Sequence, residues 1–187
     1  PTSSLVEIGD RRIVVDCGLG VSRRLVEAGL ALSTLDLILI THLHSDHVLE
    51  LGPLIHTAWT SGLKTPVEIW GPVGTQAVSD GLVASLSYDI DLRIDDEGRP
   101  DIRDLIRIHE FGEGRLIDDG GLVVDALRVD HPPVTECYAI RISHGDRLIV
   151  FSSDTAHFPP LADFVQGADI LVHKAMHPAG VDRLVER

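Results

Sequence analysis

The chain is short of cysteine, of positive charge and of long apolar runs, and each shortage removes a class of protein. Two cysteines in 187 residues, Cys17 and Cys137, build neither a disulfide framework nor a Cys-x-x-Cys metal pair. Both sit in strand-like segments and read as buried thiols in a reducing compartment, so a cytoplasmic protein is expected; a single disulfide between them stays open on sequence alone. Sixteen Lys and Arg stand against 29 Asp and Glu, a formal charge of −13. Binders of a long phosphate backbone normally carry a basic patch, and the pairs Arg11-Arg12 and Arg23-Arg24 do not read as one, so nucleic acid is not the expected partner. No apolar run approaches the roughly 20 residues that cross a bilayer, so no membrane partner is expected either. No signal peptide is visible, but the chain begins at Pro1, and a targeting segment could precede it. There is no repeat at a solenoid period. Gly18-Leu19-Gly20 is followed by no phosphate-binding fingerprint. The acidic cluster of Asp89, Asp91, Asp95, Asp96 and Glu97 lacks the spacing of an EF-hand loop.

What is present is a histidine-rich turn. Thr41-His42-Leu43-His44-Ser45-Asp46-His47 directly follows the apolar run 35–40, which reads as a buried strand. After it Val48, Leu51, Leu54, Ile55 and Ala58 recur at helical spacing, so the turn joins a strand to a helix. His42 and His44, two apart, can point the same way from an extended segment. Asp46 and His47 at the helix start can aim at a second point nearby. Neutral imidazole and carboxylate suit borderline divalent metals, zinc first, and the pattern points to two adjacent ions. The plainer alternative is that Ser45-Asp46 is a helix N-cap and the histidines are turn residues.

The rest of the chain alternates strands and helices. Residues 4–8 and 11–17 read as a hairpin about Gly9-Asp10. Ser22 can cap a short helix that ends at Gly29. The helix after His47 should run to about Thr60, with a kink or break near its first turns at Gly52-Pro53, and His56 lies along it. A strand at 66–72 precedes a helix at 73–86 with Ala77, Val78, Leu82, Val83 and Leu86 as its apolar face. Residues 88–104, the most polar stretch, read as a solvated loop or lid. Strands follow at 105–111, 115–117 and 122–129, the last ending in Asp130-His131 with Pro132-Pro133 holding the next loop extended. A hairpin about His144-Gly145-Asp146 leads to Ser152-Ser153-Asp154, then a helix at 158–165 and a strand at 169–172.

The His-x-His-x-Asp-His pattern of His42, His44, Asp46 and His47 resembles the signature of the metallo-β-lactamase superfamily. Val14-Val15-Asp16-Cys17-Gly18 upstream, and His131-Pro132-Pro133, Ser152-Ser153-Asp154-Thr155 and Leu171-Val172-His173-Lys174-Ala175 downstream, extend the likeness over essentially the whole chain. Their order is similar to the tRNase Z-like branch and its small-molecule hydrolase relatives. The resemblance implies an α/β fold, the four-layer αββα sandwich with mixed sheets, as one domain over 1–187 that lacks the family's first strand and its C-terminal strand and helix region.

It also implies a ligand set. His42, His44 and His131 would hold one metal, Asp46 and His47 the other, with Asp154 bridging. Taken alone, His131 is a loop histidine and Asp154 a turn or cap residue. Asp16 would support the metal turn, or be only a strand-end turn residue. Two Zn2+ per chain are expected, with Mn2+ or Fe as alternatives. The family's chemistry is attack by a metal-bound hydroxide, oriented by Asp46, with His173 as the acid in preference to His157. Three departures stand out: Lys174 where glutamate is common, Ser153 where glycine is frequent, and a further histidine ligand expected beyond Arg187, failing which His173 or His177 would substitute. The leading expectation is a metal-dependent hydrolase of a small ester-like substrate: a phosphodiester, sulfate ester, lactone or β-lactam. The alternatives are a tRNA 3′-end processing endoribonuclease and a non-catalytic metal-binding module. A homodimer is expected by fold analogy alone.

Overall fold

The expected hairpin is β1 (Ser4–Ile8) against β2 (Arg11–Val15), paired from Ser4↔Val15 to Ile8↔Arg11. A computed structural model describes residues 2–9 and 11–174; Asp10, Ala175 and His177 lie outside them. The chain divides into two compact units, Pro1–Glu110 and Phe111–Arg187.

In the first unit β3 (Leu37–Leu39) lies parallel to β2 on one side and to β4 (Val67–Pro72) on the other, and β5 (Ile106–Phe111) completes a five-stranded sheet of order β1-β2-β3-β4-β5. Ile13, Val14 and Val15 in β2, and Leu37, Ile38 and Leu39 in β3, are all buried. Continuous burial is why these segments read as unbroken apolar runs: a parallel strand is covered on both faces. The register Val15↔Leu39↔Trp70 brings the C-terminal ends of β2, β3 and β4 to one edge, the edge where open α/β sheets place their sites.

Helices cover one face. α1 (Val21–Glu27) begins at Gly20, so Ser22 falls inside the helix instead of capping it. α2 (Ser45–Val48) and α3 (Leu51–Thr60) are separate helices. The break lies at Leu49-Glu50, just ahead of the expected Gly52-Pro53. Pro53 is the cause: its ring cannot pass the carbonyl four residues earlier, so the helix must restart before it, and in the first turn of α3 its missing N–H costs nothing. The N–H of Glu50 goes instead to the Cys17 carbonyl, 2.9 Å away. Leu51, Leu54, Ile55, Ala58 and Trp59 of α3 pack with Val14, Ile38, Ile40, Val67 and Ile69.

α4 (Thr75–Ser85) starts after Gly74, and Ala77 is exposed, not part of the apolar face; Val78, Leu82, Val83 and Leu86 do pack on the core. The stretch expected to be a polar loop is helical: α5 spans Ser87–Glu97 and a 3-10 turn follows at Ile102–Leu105. Two forces overrule its acidity. Ile90 is fully buried and Leu86 and Ile94 pack beside it, an i, i+4, i+8 stripe. Arg93 bonds both Asp89 (2.9 Å) and Glu97 (2.8 Å), each four residues away. Gly98, with φ +62, closes the helix in the left-handed region.

The second unit holds a sheet of order β10-β9-β8-β7-β6. β6 (Gly114–Asp119), β7 (Leu122–Arg128), β8 (Tyr138–His144) and β9 (Arg147–Phe151) form an antiparallel meander, and β10 (Ile170–Val172) runs parallel to β9. α6 (Pro160–Phe164) packs Leu161 against Val129, Cys137 and Ala139. β7, β9 and β10 all point the same way, so the loops after them leave from one edge. Two mixed sheets with helices are the α/β class expected from the sequence.

Candidate metal site

The histidine turn of the first unit is built on a buried carboxylate. Asp16 ends β2 at φ +62, a conformation in which aspartate is enriched over most non-glycine residues. Its Oδ1 accepts the Thr41 N–H (2.8 Å), and its Oδ2 accepts the Thr41 hydroxyl (3.0 Å) and the His47 Nδ1 (2.8 Å). Burial lifts the Asp16 carboxyl above its ordinary range, and the His47 and Thr41 contacts pull it back down. Asp16 therefore holds the turn, the first of the two roles the sequence leaves open for it.

These contacts assign two tautomers. Asp16 Oδ2 is an acceptor, so the His47 Nδ1 carries the proton. The Thr41 hydroxyl spends its hydrogen on Asp16, so it accepts from the His42 Nδ1 at 3.1 Å. Both rings thus present Nε2 as the lone-pair nitrogen. A hydrogen-bonded outer partner that fixes the ring is how protein sites prepare an imidazole for a metal. The His42 Nε2 lies 3.1 Å from the His44 Nδ1, and the His42 and His47 ring centroids are 4.0 Å apart. Two nitrogens on one tetrahedral zinc, with bonds of about 2.0–2.1 Å, stand about 3.3 Å apart, so the donor pair fits such an ion. Asp46 is half-exposed in the first turn of α2, its Oδ2 3.7 Å from the His47 Nε2. It is no N-cap: His44 holds that position.

Backbone bonds lock the turn from behind. Cys17 N–H donates to the His47 carbonyl (2.6 Å) and Thr2 N–H to the Asp46 carbonyl (3.0 Å). Gly18 sits so close that a Cβ on it would be 2.2 Å from the Asp46 carbonyl oxygen. The Cys17 thiol is pushed well above its usual range by burial and is no thiolate ligand. His56 stands apart from the turn, on α3, with its Nε2 2.9 Å from Asp89 of α5.

In the second unit the candidate residues sit on neighbouring loops. His131 follows β7, and its carbonyl accepts from Val134 N–H (2.8 Å), so the Pro132-Pro133 loop turns back and does not run extended. The Asp130 carbonyl accepts from Ala156 N–H (2.7 Å), tying this loop to the one that carries Asp154. Ser153 precedes Asp154 with φ +56, which gives a physical reason why glycine is frequent there. Asp154 is mostly buried, and its Oδ2 receives the Lys174 ammonium at 2.6 Å.

His173 Nδ1 is 2.7 Å from the Ser152 hydroxyl, which itself donates to the Ser153 carbonyl (2.9 Å). The proton on His173 is therefore on Nδ1. Partial burial lowers its pKa below the ordinary value. His157 is exposed. Neither Thr41 nor Ser152 is marked for such a role by the sequence. The one signal is that Thr41 stands directly beside His42 at a strand end.

A family model described as "Anti-Pycsar protein Apyc1" matches residues 1–181. The chain belongs to the Apyc1 family. Among curated relatives, a Ribonuclease Z of Mycobacterium sp. (strain KMS) is 36% identical over 178 residues, covering 93% of this chain and 62% of that protein. This Apyc1-family chain thus spans about 62% of the length of such relatives. Among solved structures, human tRNase Z, short form, superposes with a TM-score of 0.73 at 22% identity over 100% of this chain and 76% of that one. The metallo-β-lactamase fold protein YhfI from Bacillus subtilis gives 0.65 at 24% identity, covering 91% and 62%. The Apyc1-family chain thus has the metallo-β-lactamase fold and is similar to tRNase Z. Among the described residues no helix is long and apolar enough to cross a membrane.

Proposed function

We propose that this protein is a metal-dependent hydrolase that cleaves a phosphodiester in a small substrate. The observation that carries the reading is the buried Asp16–Thr41 network, which presents the Nε2 atoms of His42 and His47 from one turn. Relatives named Ribonuclease Z support the phosphodiester among the ester classes considered. His42, His44 and His131 are assigned to one metal position, Asp46 and His47 to the other, with Asp154 shared, and zinc is the metal the donor types favour. Zinc, when bound, supplies Lewis acidity and lowers the pKa of water toward neutrality.

The chain's own residues do the rest. Asp16 keeps the His47 ring from turning. The half-exposed Asp46 carboxylate orients the attacking water by accepting one of its hydrogens. His173, with Nδ1 committed to Ser152, offers a lone pair at Nε2; it takes a proton there and returns it to the departing oxygen. It is an acid only after it has been a base, a narrower role than the sequence implied.

The test is metal content and turnover of the full-length protein on bis(p-nitrophenyl) phosphate. About one to two zinc per chain and turnover abolished by chelation are expected; a metal-free protein with no turnover on this ester would sink the reading. A second reading, tRNA 3′-end processing, is favoured by the relatives named Ribonuclease Z and opposed by the charge of −13. Cleavage of precursor tRNA with no turnover of the small diester would put it first.

A further inference from the structure

Helix α4 begins without a cap of its own. Its N-cap position is Gly74, which has no side chain to accept a backbone N–H, and its first turn holds no acidic residue. The cap comes from 36 positions away in sequence. One oxygen of the Glu110 carboxylate, in β5, accepts the Gly74 N–H at 2.8 Å and the Gln76 N–H at 3.0 Å. A single side chain thus covers two donors at the helix start, a task that a capping box divides between two local residues. Its charge also suits the positive end of the helix.

The reason for a remote cap lies at Gly74. Serine, aspartate or asparagine would serve there locally. But Gly74 has φ +103, and a Cβ on it would lie 2.9 Å from the Leu43 Cδ1. Leu43 stands between His42 and His44. Side chains alternate along an extended segment, and the His42 and His44 rings converge, with 3.1 Å between Nε2 and Nδ1. Leu43 therefore leaves the turn on the other side, where it packs on the core. The bare glycine at the head of α4 is the surface it comes to rest against. The segment that delivers Gly74 is itself tied down: the Trp70 carbonyl accepts the Ile40 N–H at 2.7 Å, and the buried Thr75 hydroxyl donates to the Pro72 carbonyl at 2.6 Å.

We propose that Glu110 is a positioning residue for the histidine turn. By fixing the first turn of α4 it fixes the surface that Leu43 packs against, and Leu43 sets the directions of His42 and His44. The inference deepens the metal-site reading and rests on it for its consequence, not for the contacts. All of its residues lie in the first compact unit. The effect falls chiefly on His44, since the His42 ring is also held by Thr41.

The test reads the imidazoles without metal, by long-range 1H–15N correlation spectra of the metal-stripped full-length protein, with amide hydrogen exchange alongside. Glu110→Ala should speed exchange of the Gly74 and Gln76 amides about tenfold, the usual contribution of a cap. It should shift the His44 ring signals most and those of His42 less, and leave those of His47, which Asp16 holds, in place. Glu110→Gln keeps an acceptor oxygen and should restore most of the native spectrum. In a Leu43→Ala background Glu110→Ala should move no ring further, because the intermediary is gone. Co2+ affinity should fall about tenfold in Glu110→Ala, the low end for losing a partner that orients ligand histidines. Rings unmoved in Glu110→Ala, or a full ring shift in the Leu43→Ala background, overturns the proposal and leaves a metal hydrolase intact. A native protein that takes up no Co2+ sinks the hydrolase reading, while the metal-free ring shifts still decide this one.

Discussion

The two donor-bearing regions reach a similar result by opposite means. In the first unit four ligand-type residues lie within six positions of sequence, and one buried carboxylate orders the turn that carries them. In the second, His131 and Asp154 come from loops 23 positions apart in sequence, tied by bonds from the Ala156 N–H and the Thr155 hydroxyl to the Asp130 carbonyl. Each region also uses one non-glycine residue at positive φ to leave its strand, Asp16 at +62 and Ser153 at +56. Asp16 is repaid by three hydrogen bonds from the turn; Ser153 makes a weak 3.3 Å contact with the Cys137 sulfur. The lesson is that a short turn can be over-determined by one buried group, whereas distant loops depend on the sheet beneath them.

The sharpest way to break the comparison is His42→Ala. It removes the ring that Thr41 orients, and metal content and turnover should fall together to background, read by elemental analysis and ester hydrolysis. Asp46→Asn should separate the two: at least one metal per chain stays, while turnover drops by about 10²–10⁴-fold, the usual contribution of a positioned proton acceptor. Intact turnover in that variant means Asp46 does not orient the water.

Asp16→Ala strips a buried hub and leaves the Thr41 and His47 donors unmet. A loss of about 3–5 kcal/mol in denaturant unfolding is expected, with weaker metal binding. Ile90→Ala should cost about 2–4 kcal/mol through the cavity it leaves, with metal content unchanged. A negligible loss there would mean α5 is not packed as described. Smallest is Ser153→Gly, which relieves a left-handed serine and should gain up to about 1 kcal/mol, less whatever the Cys137 contact is worth. A destabilised Ser153→Gly would show that the second loop, like the first, is held by its own side chain.

Much of the fold was legible where burial is continuous or alternates cleanly. The run at 35–40, the hairpin about Gly9 and the meander from Leu122 to Phe151 all announced themselves. The histidine turn was legible because its donors are contiguous. The α5 helix was not, because the acidic content of residues 88–104 masks its spacing. Leu86, Ile90 and Ile94, with Asp89, Arg93 and Glu97, carried a four-residue period in plain view. Ser22 suggests a cap because serine often is one, but Gly20 is the entry to α1. The roles of Thr41 and Ser152 are not legible, since the partners these hydroxyls bring to the site, Asp16 and His173, lie 25 and 21 positions away in sequence.

Gly18 has no donor atom to offer, yet it carries a consequence for anyone reading variants of this protein. The smallest possible side chain there would push on the very carbonyl that anchors the start of α2. An alanine at this position would masquerade as a lesion of the proposed metal site: the assigned donors would all be present by name, and the turn that carries them would be bent from outside.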